Sequence, residues 1–593
     1  MRKPFFRASI AGVAVLACLV MAGAVRAQQS PLHLFFDNFT AEWIRGNPDQ
    51  AIATRYFTGG EQQTLDRQLT PQTDAWYRAR IALAKRGLSE LARFNRSGMS
   101  EGDALSAELM RYQLQTFVDG ERYADFEFPF EQFSGLNVYF VNTFTVTQPL
   151  LGESDARNYI ARLEQLAPRM GEALVDAQRI ARSGLIPPRF ILTATIAQMR
   201  QFAGLPAAAN PLVTTFDNKL ALVKDVPDQR REALRAQVEA LVAGQVYPAW
   251  QRVITFLESL QPRVNDNAGL WRLEGGSEAY AYGLRRYTTT TLTPDQIHEI
   301  GLKQVARIEA EMDAIFRQLG RSQGSIKERI AQLKKDQAYP LTDEGRAVIM
   351  ADVESIMRDA ERRAVTLFDH RPKSPVIAEA FPRFQEANAA GQYTPPAPDG
   401  SRPGTFRIPL RPERMTKFGL RTLVYHETVP GHHFQVGLET ENTDVPRFRR
   451  LRAFGGSAAF GEGWGLYAER LAAESNWYDG DPEGRLGQLD AELFRARRLV
   501  VDTGLHAKHW TRQQAIDYGI EASEVERYVV YPGQACAYRI GQMKLLEMRD
   551  KTKSALGDRF SFKDYHNAVL ASGNVPLTIL ERQVEAYIRD RQK

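Results

Sequence analysis

Three of the nine histidines in this 593-residue chain fall within eight residues, in Tyr425-His426-Glu427-Thr428-Val429-Pro430-Gly431-His432-His433-Phe434-Gln435. Imidazoles grouped beside a carboxylate are the makings of a zinc hydrolase. Neutral imidazole nitrogens bind Zn2+ at about 2.0–2.1 Å and leave a position open for water. The ion lowers the pKa of that water to about 7, and a neighbouring carboxylate takes its proton. A chain of this length buries a large core without help from a metal. A cation bound here would therefore serve chemistry before stability.

The spacing is unusual. In His-Glu-x-x-His the two histidines stand four apart and share a helical face, but position 430 is Pro here. In an unbroken helix His426 and His433 share a face yet stand about 10 Å apart along the axis, too far for one ion. His432 would point about 120° away from His426. The backbone must bulge or break between them, and Pro430-Gly431 supplies the means. Pro removes a donor and clashes with the carbonyl of His426, and Gly accepts unusual dihedrals.

A further ligand has to come from another segment. Gly461-Glu462-Gly463-Trp464-Gly465-Leu466-Tyr467-Ala468-Glu469 follows the small-residue run Gly455-Gly-Ser-Ala-Ala and opens a helical pattern. Glu462 is the candidate ligand, and its flanking glycines let other backbone come close. Glu469, two turns further along the same face, could orient a ligating imidazole. A surface ion pair with Arg470 is the stronger expectation for it. Trp464 reads as a packing anchor.

These side chains need rigid elements, and the pattern around them is mostly helical. Segments such as 71–94 and 155–182 carry apolar residues at threes and fours. Thr293-Pro-Asp-Gln has the form of a helix start, with Thr as N-cap and Gln completing a capping box. Ile297, Ile300, Val305, Ile308, Met312, Ile315 and Leu319 mark its apolar face, and Gly320 supplies a stop. Glu127-Phe-Pro-Phe-Glu and 137–147 suggest loops or short strands. The Pro-rich stretch 393–412 ends in Thr405-Phe-Arg-Ile-Pro-Leu, an extended segment whose Pro409 suits only an edge. The fold expected is mainly α: a large helical body with a deep groove and a small edge β-sheet near the metal helix. It divides into an N-terminal lobe, 28–265, and a catalytic lobe, 266–593, or forms one continuous body.

Together with Trp271-Arg-Leu, Tyr287-Thr-Thr-Thr-Thr-Leu-Thr-Pro, Thr503-Gly-Leu-His506, Pro532-Gly-Gln-Ala and Gly573-Asn-Val-Pro-Leu, these segments resemble the bacterial family catalogued as domain of unknown function 885. The resemblance runs over most of the chain. That family is similar in turn to helical zinc peptidases with a glutamate ligand, such as carboxypeptidase Taq, thimet oligopeptidase and angiotensin-converting enzyme. Those carry His-Glu-x-Gly-His and a distant Glu. The resemblance implies His426 as first ligand, Glu427 as general base, His432 as second ligand with His433 the alternate, and Glu462 as third. Two extra residues separate Glu427 from Gly431, and Leu466 stands where relatives often carry an acid. Relatives also supply an oxyanion donor from C-terminal helices, which points to Tyr538 and His506, the latter four residues after Asp502. Tyr531 and His566 read as structural.

The expected activity is zinc-dependent hydrolysis of short peptides, with the substrate backbone paired as an added strand on Arg407-Ile-Pro-Leu. A metal-dependent amidase on a non-peptide substrate keeps the same cluster, and a catalytically silent metal-binding protein is the third reading. The intact Glu427 argues against the last. Imidazole and carboxylate also suit Ni, Co and Fe.

The first residues have the form of an export signal. Arg2, Lys3 and Arg7 precede an uncharged, mostly apolar stretch, 8–25, and Val25-Arg26-Ala27 resembles a cleavage site. An uncleaved anchor and a lipid on Cys18 are the alternatives. Each places the body outside the cytoplasm, periplasmic or secreted. Removing 1–27 takes away four basic residues and no acid, so the net charge falls from +5 to +1 and gives no reason for a nucleic-acid partner. Cys536 is then the remaining cysteine, with no disulfide to make. His298 and His370 read as ordinary helix-surface residues.

Overall fold

The computed structural model describes residues 30–381, 383–386, 390–396 and 402–593. The export signal 1–27, Cys18 included, lies outside them. The chain is mainly α-helical with one three-stranded sheet. Among the described residues no helix is long and apolar enough to cross a membrane.

The helices Glu153–Arg182, Arg189–Ala203, Pro211–Ala221 and Tyr247–Leu260 enclose one core around Tyr159, Leu163, Met170, Phe216 and Trp250. The stretch expected to form loops or strands joins this core as helix instead. Leu136–Asn142 is α-helical and Thr143–Thr147 a π-helical turn. Burial of Phe140 and Phe144 decides this, since packing overrides the β-branched propensity of that segment. A second core draws on both ends of the chain. Phe36, Phe39, Trp43 and Met110 pack with Phe434, Trp464, Tyr467 and Tyr565. By packing, the first helices belong with the C-terminal half rather than with the remainder of the 28–265 segment.

The helices of the C-terminal half include α1 (Gly276–Thr288), α2 (Pro294–Gln318), α3 (Lys417–Glu427), α4 (His432–Glu441), α5 (Ala458–Glu474), α6 (Pro482–Ala507) and α7 (Gln534–Leu556). The start of α2 follows its sequence: Thr293 and Gln296 form the capping box. Ile297, Val305, Ile308 and Met312 are buried on its inner face, and Gly320 takes a positive φ of 72° just past its end. The strands are β1 (Val376–Ala380), β2 (Gln392–Thr394) and β3 (Gly404–Ile408), in the order β1-β3-β2. β1 runs parallel and β2 antiparallel to β3. The extended segment therefore does not lie at an edge. β3 is the central strand, and Pro409 falls just after its last paired residue, where it costs no ladder bond.

Helices α5 and α7 touch backbone to backbone through glycines. A Cβ on Gly463 would lie 2.6 Å from the carbonyl carbon of Gly541, and one on Gly541 would lie 1.9 Å from the carbonyl oxygen of Ala459. This contact sets the Glu462 turn of α5 against the turn of α7 that carries Tyr538. Neither backbone can retreat without displacing its helix. Gly541→Ala is therefore expected to lower stability by ~1–3 kcal/mol through overpacking, read as a lower denaturant midpoint. An unchanged midpoint would mean that the two helices are free to separate.

Candidate metal centre

Helix α3 ends at Glu427, four residues turn, and α4 begins at His432. The backbone breaks rather than bulges. The Val429–Pro430 peptide is cis. A Cβ on Gly431 would lie 1.9 Å from the His426 carbonyl oxygen and 2.4 Å from that of Tyr425, so only Gly lets the chain fold back here. The indole nitrogen of Trp464, fully buried, donates to the carbonyls of Pro430 and Gly431 at 2.9 and 3.2 Å. Trp464 thus anchors the turn itself, in addition to packing.

The turn brings His432 to His426. Their rings lie 4.7 Å apart at 84°. Glu462 reaches both from α5, its Oε2 3.6 Å from Nε2 of His426 and 3.8 Å from Nε2 of His432. All three donor atoms lie within 4.8 Å of one another. Donors arranged tetrahedrally at 2.0–2.1 Å around one ion are about 3.3 Å apart, so the observed spacing is within a small side-chain adjustment of such a site. His426, His432 and Glu462 are the residues that could hold a metal.

The ring of His426 rests on α5 at Gly465, where a Cβ would lie 2.5 Å from its Cε1. Its Nδ1 bonds Oε1 of Glu469 at 2.8 Å. Glu469 is 1% exposed, not the surface partner of Arg470 that the sequence favoured. Arg470 turns away to Glu474. The seven-residue step from Glu462 puts both carboxylates on one face of α5, one at each nitrogen of the same ring.

The field of the site holds positive charge at His426. Burial works against charging that ring, but the hydrogen bonds of Glu462 and Glu469 prevail and push its pKa up to about 10. Burial would raise Glu462, but the hydrogen bond with His426 and the nearby His432 and Arg498 hold it at about 2. Burial and the charge on His426 push His432 down to about 4, which keeps its lone pair free. Two imidazoles and a carboxylate around one point fit a divalent cation, which would take the place of the proton on His426.

Glu427 stands beside the donors and is not one of them. Burial pushes its carboxyl up to about 7, with His426 pulling down and Glu462 pushing up. The backbone of Tyr393 in β2 also pulls it down. That is the range a general base works in near neutral pH. His433 faces away from the donors, toward the sheet, and its Nδ1 is 3.0 Å from the Tyr393 hydroxyl. Of the two adjacent histidines, His432 joins the cluster.

Tyr538 is half-buried on α7 under Arg498, whose guanidinium carbon is 4.5 Å from the ring centroid. The same Arg498 lowers Glu462, and Arg495, one turn earlier on α6, acts on Glu427. No sequence signal marks either arginine, because their roles depend on how α6 crosses the cluster. His506 is elsewhere. Its ring is buried against Tyr280, Nδ1 accepts from the N–H of Leu270 at 3.1 Å, and Nε2 then donates to the Tyr528 carbonyl at 3.0 Å. It has no nitrogen left for a substrate, so the expectation of a catalytic role is withdrawn. Asp502 does not orient it either. Asp502 accepts from the Tyr280 hydroxyl and the Gly533 N–H. His566 bonds the Leu367 carbonyl and the Tyr467 hydroxyl, a structural post as expected. A cavity of about 1180 Å3 lies between the two halves of the chain, walled by Tyr77, Tyr112, Tyr282, Arg286 and Tyr531. None of the three donors lines it. They open to solvent through Glu462 and His432, whose side chains are 28% and 18% exposed.

The family model described as "Bacterial protein of unknown function (DUF885)" matches residues 51–584. This chain belongs to that family. Among solved structures the DUF885 chain is similar to "the putative lipoprotein from Colwellia psychrerythraea", with 31% identity and a TM-score of 0.89 over 94% of this chain and 99% of that one. It shares the fold of "a putative lipoprotein of unknown function from Shewanella oneidensis", with 17% identity and a TM-score of 0.68 over 93% and 99%. No curated protein matches it.

Replacing His432 by Ala should abolish tight zinc binding. Glu469→Ala should weaken it by about 10–100-fold, the usual cost of losing a carboxylate behind a ligating imidazole. Competition with a chromophoric chelator reads both. Equal affinity in Glu469→Ala and the parent would remove Glu469 from the centre.

Proposed function

We propose that this DUF885 chain is an exported zinc-dependent peptidase that cleaves short peptides. The observation that carries the reading is the convergence of His426, His432 and Glu462 on one point, with Glu427 beside them and Glu469 behind. Zn2+ suits two imidazoles and a carboxylate, and when bound it would polarise a peptide carbonyl and make water a nucleophile at neutral pH. The resemblance of the motif at 426–433 and of Glu462 to the ligand pattern of helical glutamate-ligand peptidases supports the same assignment of these residues.

Glu427 takes the proton from the attacking water and returns it to the leaving amine. Burial raises that carboxyl, which favours its taking a proton from water. The backbone of Tyr393 acts on the same carboxylate. Tyr538, under the charge of Arg498, is the donor for the oxyanion. With β3 closed on both sides, the substrate backbone pairs with β2 instead. In an antiparallel strand the N–H and C=O of one residue point the same way. A carbonyl of β2 that faces away from β3 can accept a substrate amide.

Export belongs to the proposal. The basic front and apolar run of 1–27, and the description of the Colwellia relative as a lipoprotein, both support it.

Glu427→Gln is expected to lower kcat/KM by about 10²–10⁴-fold while zinc stays at the parent's stoichiometry. The measurement is cleavage of a peptide library by the zinc-loaded mature protein, followed by mass spectrometry, with metal content taken on the same samples. A parent protein that holds zinc and cleaves no member of the library would sink the peptidase reading and favour a non-peptide amide as substrate.

A further inference from the structure

His433 is adjacent to a ligand, buried to 2% exposure, and takes no part in the cluster. Its contacts run the other way. Nδ1 meets the Tyr393 hydroxyl of β2 at 3.0 Å, and the backbone of Ser374, just before β1, acts on the ring. Gly404 of β3 leaves room for the first of these. A Cβ there would lie 2.8 Å from the Tyr393 hydroxyl and 3.0 Å from Nδ1 of His433. At the far end of α4, Glu441 accepts from the N–H groups of Lys373 and Ser374 at 2.8 and 2.9 Å. The helix that starts with the ligand His432 therefore grips the sheet at both its ends. The backbone of the same Tyr393 acts on Glu427.

We propose that His433 is a positioning residue: through Tyr393 it fixes the free edge of β2 against Glu427, so that the metal helix and the strand that meets the substrate move as one body. Losing the contact leaves the cluster intact and lets the edge drift. A displaced edge costs substrate binding more than it costs the chemical step, because Glu427 and the donors sit on α3, α4 and α5 rather than on the sheet. The exposed edge of so short a strand also has few other bonds to hold it.

The activity half of this inference rests on the peptidase reading, and the structural half does not. Zinc-loaded parent, His433→Leu, Tyr393→Phe and the double variant are compared by hydrogen–deuterium exchange in 390–396. Each single variant should speed exchange there by on the order of tenfold, the loss of one buried hydrogen bond. The double variant should be no faster than the singles. His433→Asn keeps an acceptor near the position of Nδ1 and should restore slow exchange. Zinc content should stay at the parent's value throughout. Unchanged exchange in both single variants overturns the proposal. So does loss of zinc in His433→Leu, which would make His433 a ligand. On a peptide taken from the cleaved members of the library, KM should rise several-fold with kcat nearly constant. A fall in kcat alone would assign His433 to the chemistry and overturn the positioning role. If the parent cleaves nothing, the exchange experiment still decides whether His433 holds β2.

Discussion

The bond between Glu469 and Nδ1 of His426 commits the opposite nitrogen of that ring to Glu462 and His432. An imidazole on a flexible side chain has two nitrogens and many orientations. This one has its tautomer and its plane set, the first by a carboxylate and the second by the bare backbone at Gly465. Both constraints come from α5, which also carries Glu462. A single helix thus supplies one donor and positions another, and seven residues between two glutamates are enough to do so.

The second constraint is the break after Glu427. A continuous helix cannot bring His432 within reach of His426, because the angle between them is fixed by the helical repeat. Gly431 is where the chain turns back, and the Trp464 indole holds the two carbonyls freed by the turn. The turn and the α5 face are therefore built together. Trp464 lies between Gly463, where α5 meets α7, and Gly465, where it meets His426. The alternation Gly-x-Gly-x-Gly from 461 to 465 is the sequence trace of a helix approached closely on more than one side.

Legibility in the sequence followed the range of the physics involved. The α2 boundary was readable because capping and apolar period are local to a few residues. The need for a break was readable because helical spacing forbids the alternative. The failures were of a different kind. Glu469 was expected at the surface since i,i+1 charges such as Glu469-Arg470 give no hint of which one is buried. His506 was expected at the site because an Asp four residues earlier suggested a pair, but the structure uses each to satisfy separate backbone groups. β3 was expected at an edge because Pro409 forbids a central strand, and the Pro proved to lie one residue beyond the pairing. Segment 137–147 was read by propensity, which packing overrode.

The amino-acid sequence alone determined the chemistry available here: two imidazoles, a neighbouring carboxylate and a remote one, interrupted so that no regular helix can hold them. Tertiary structure decided which of two adjacent histidines turns inward, which glutamate backs the cluster, and which strand is central in the sheet. The reason is that a helix fixes the relative directions of its own side chains, whereas after a break the direction depends on what the next element packs against. For α4 that is the sheet on one side and α5 on the other.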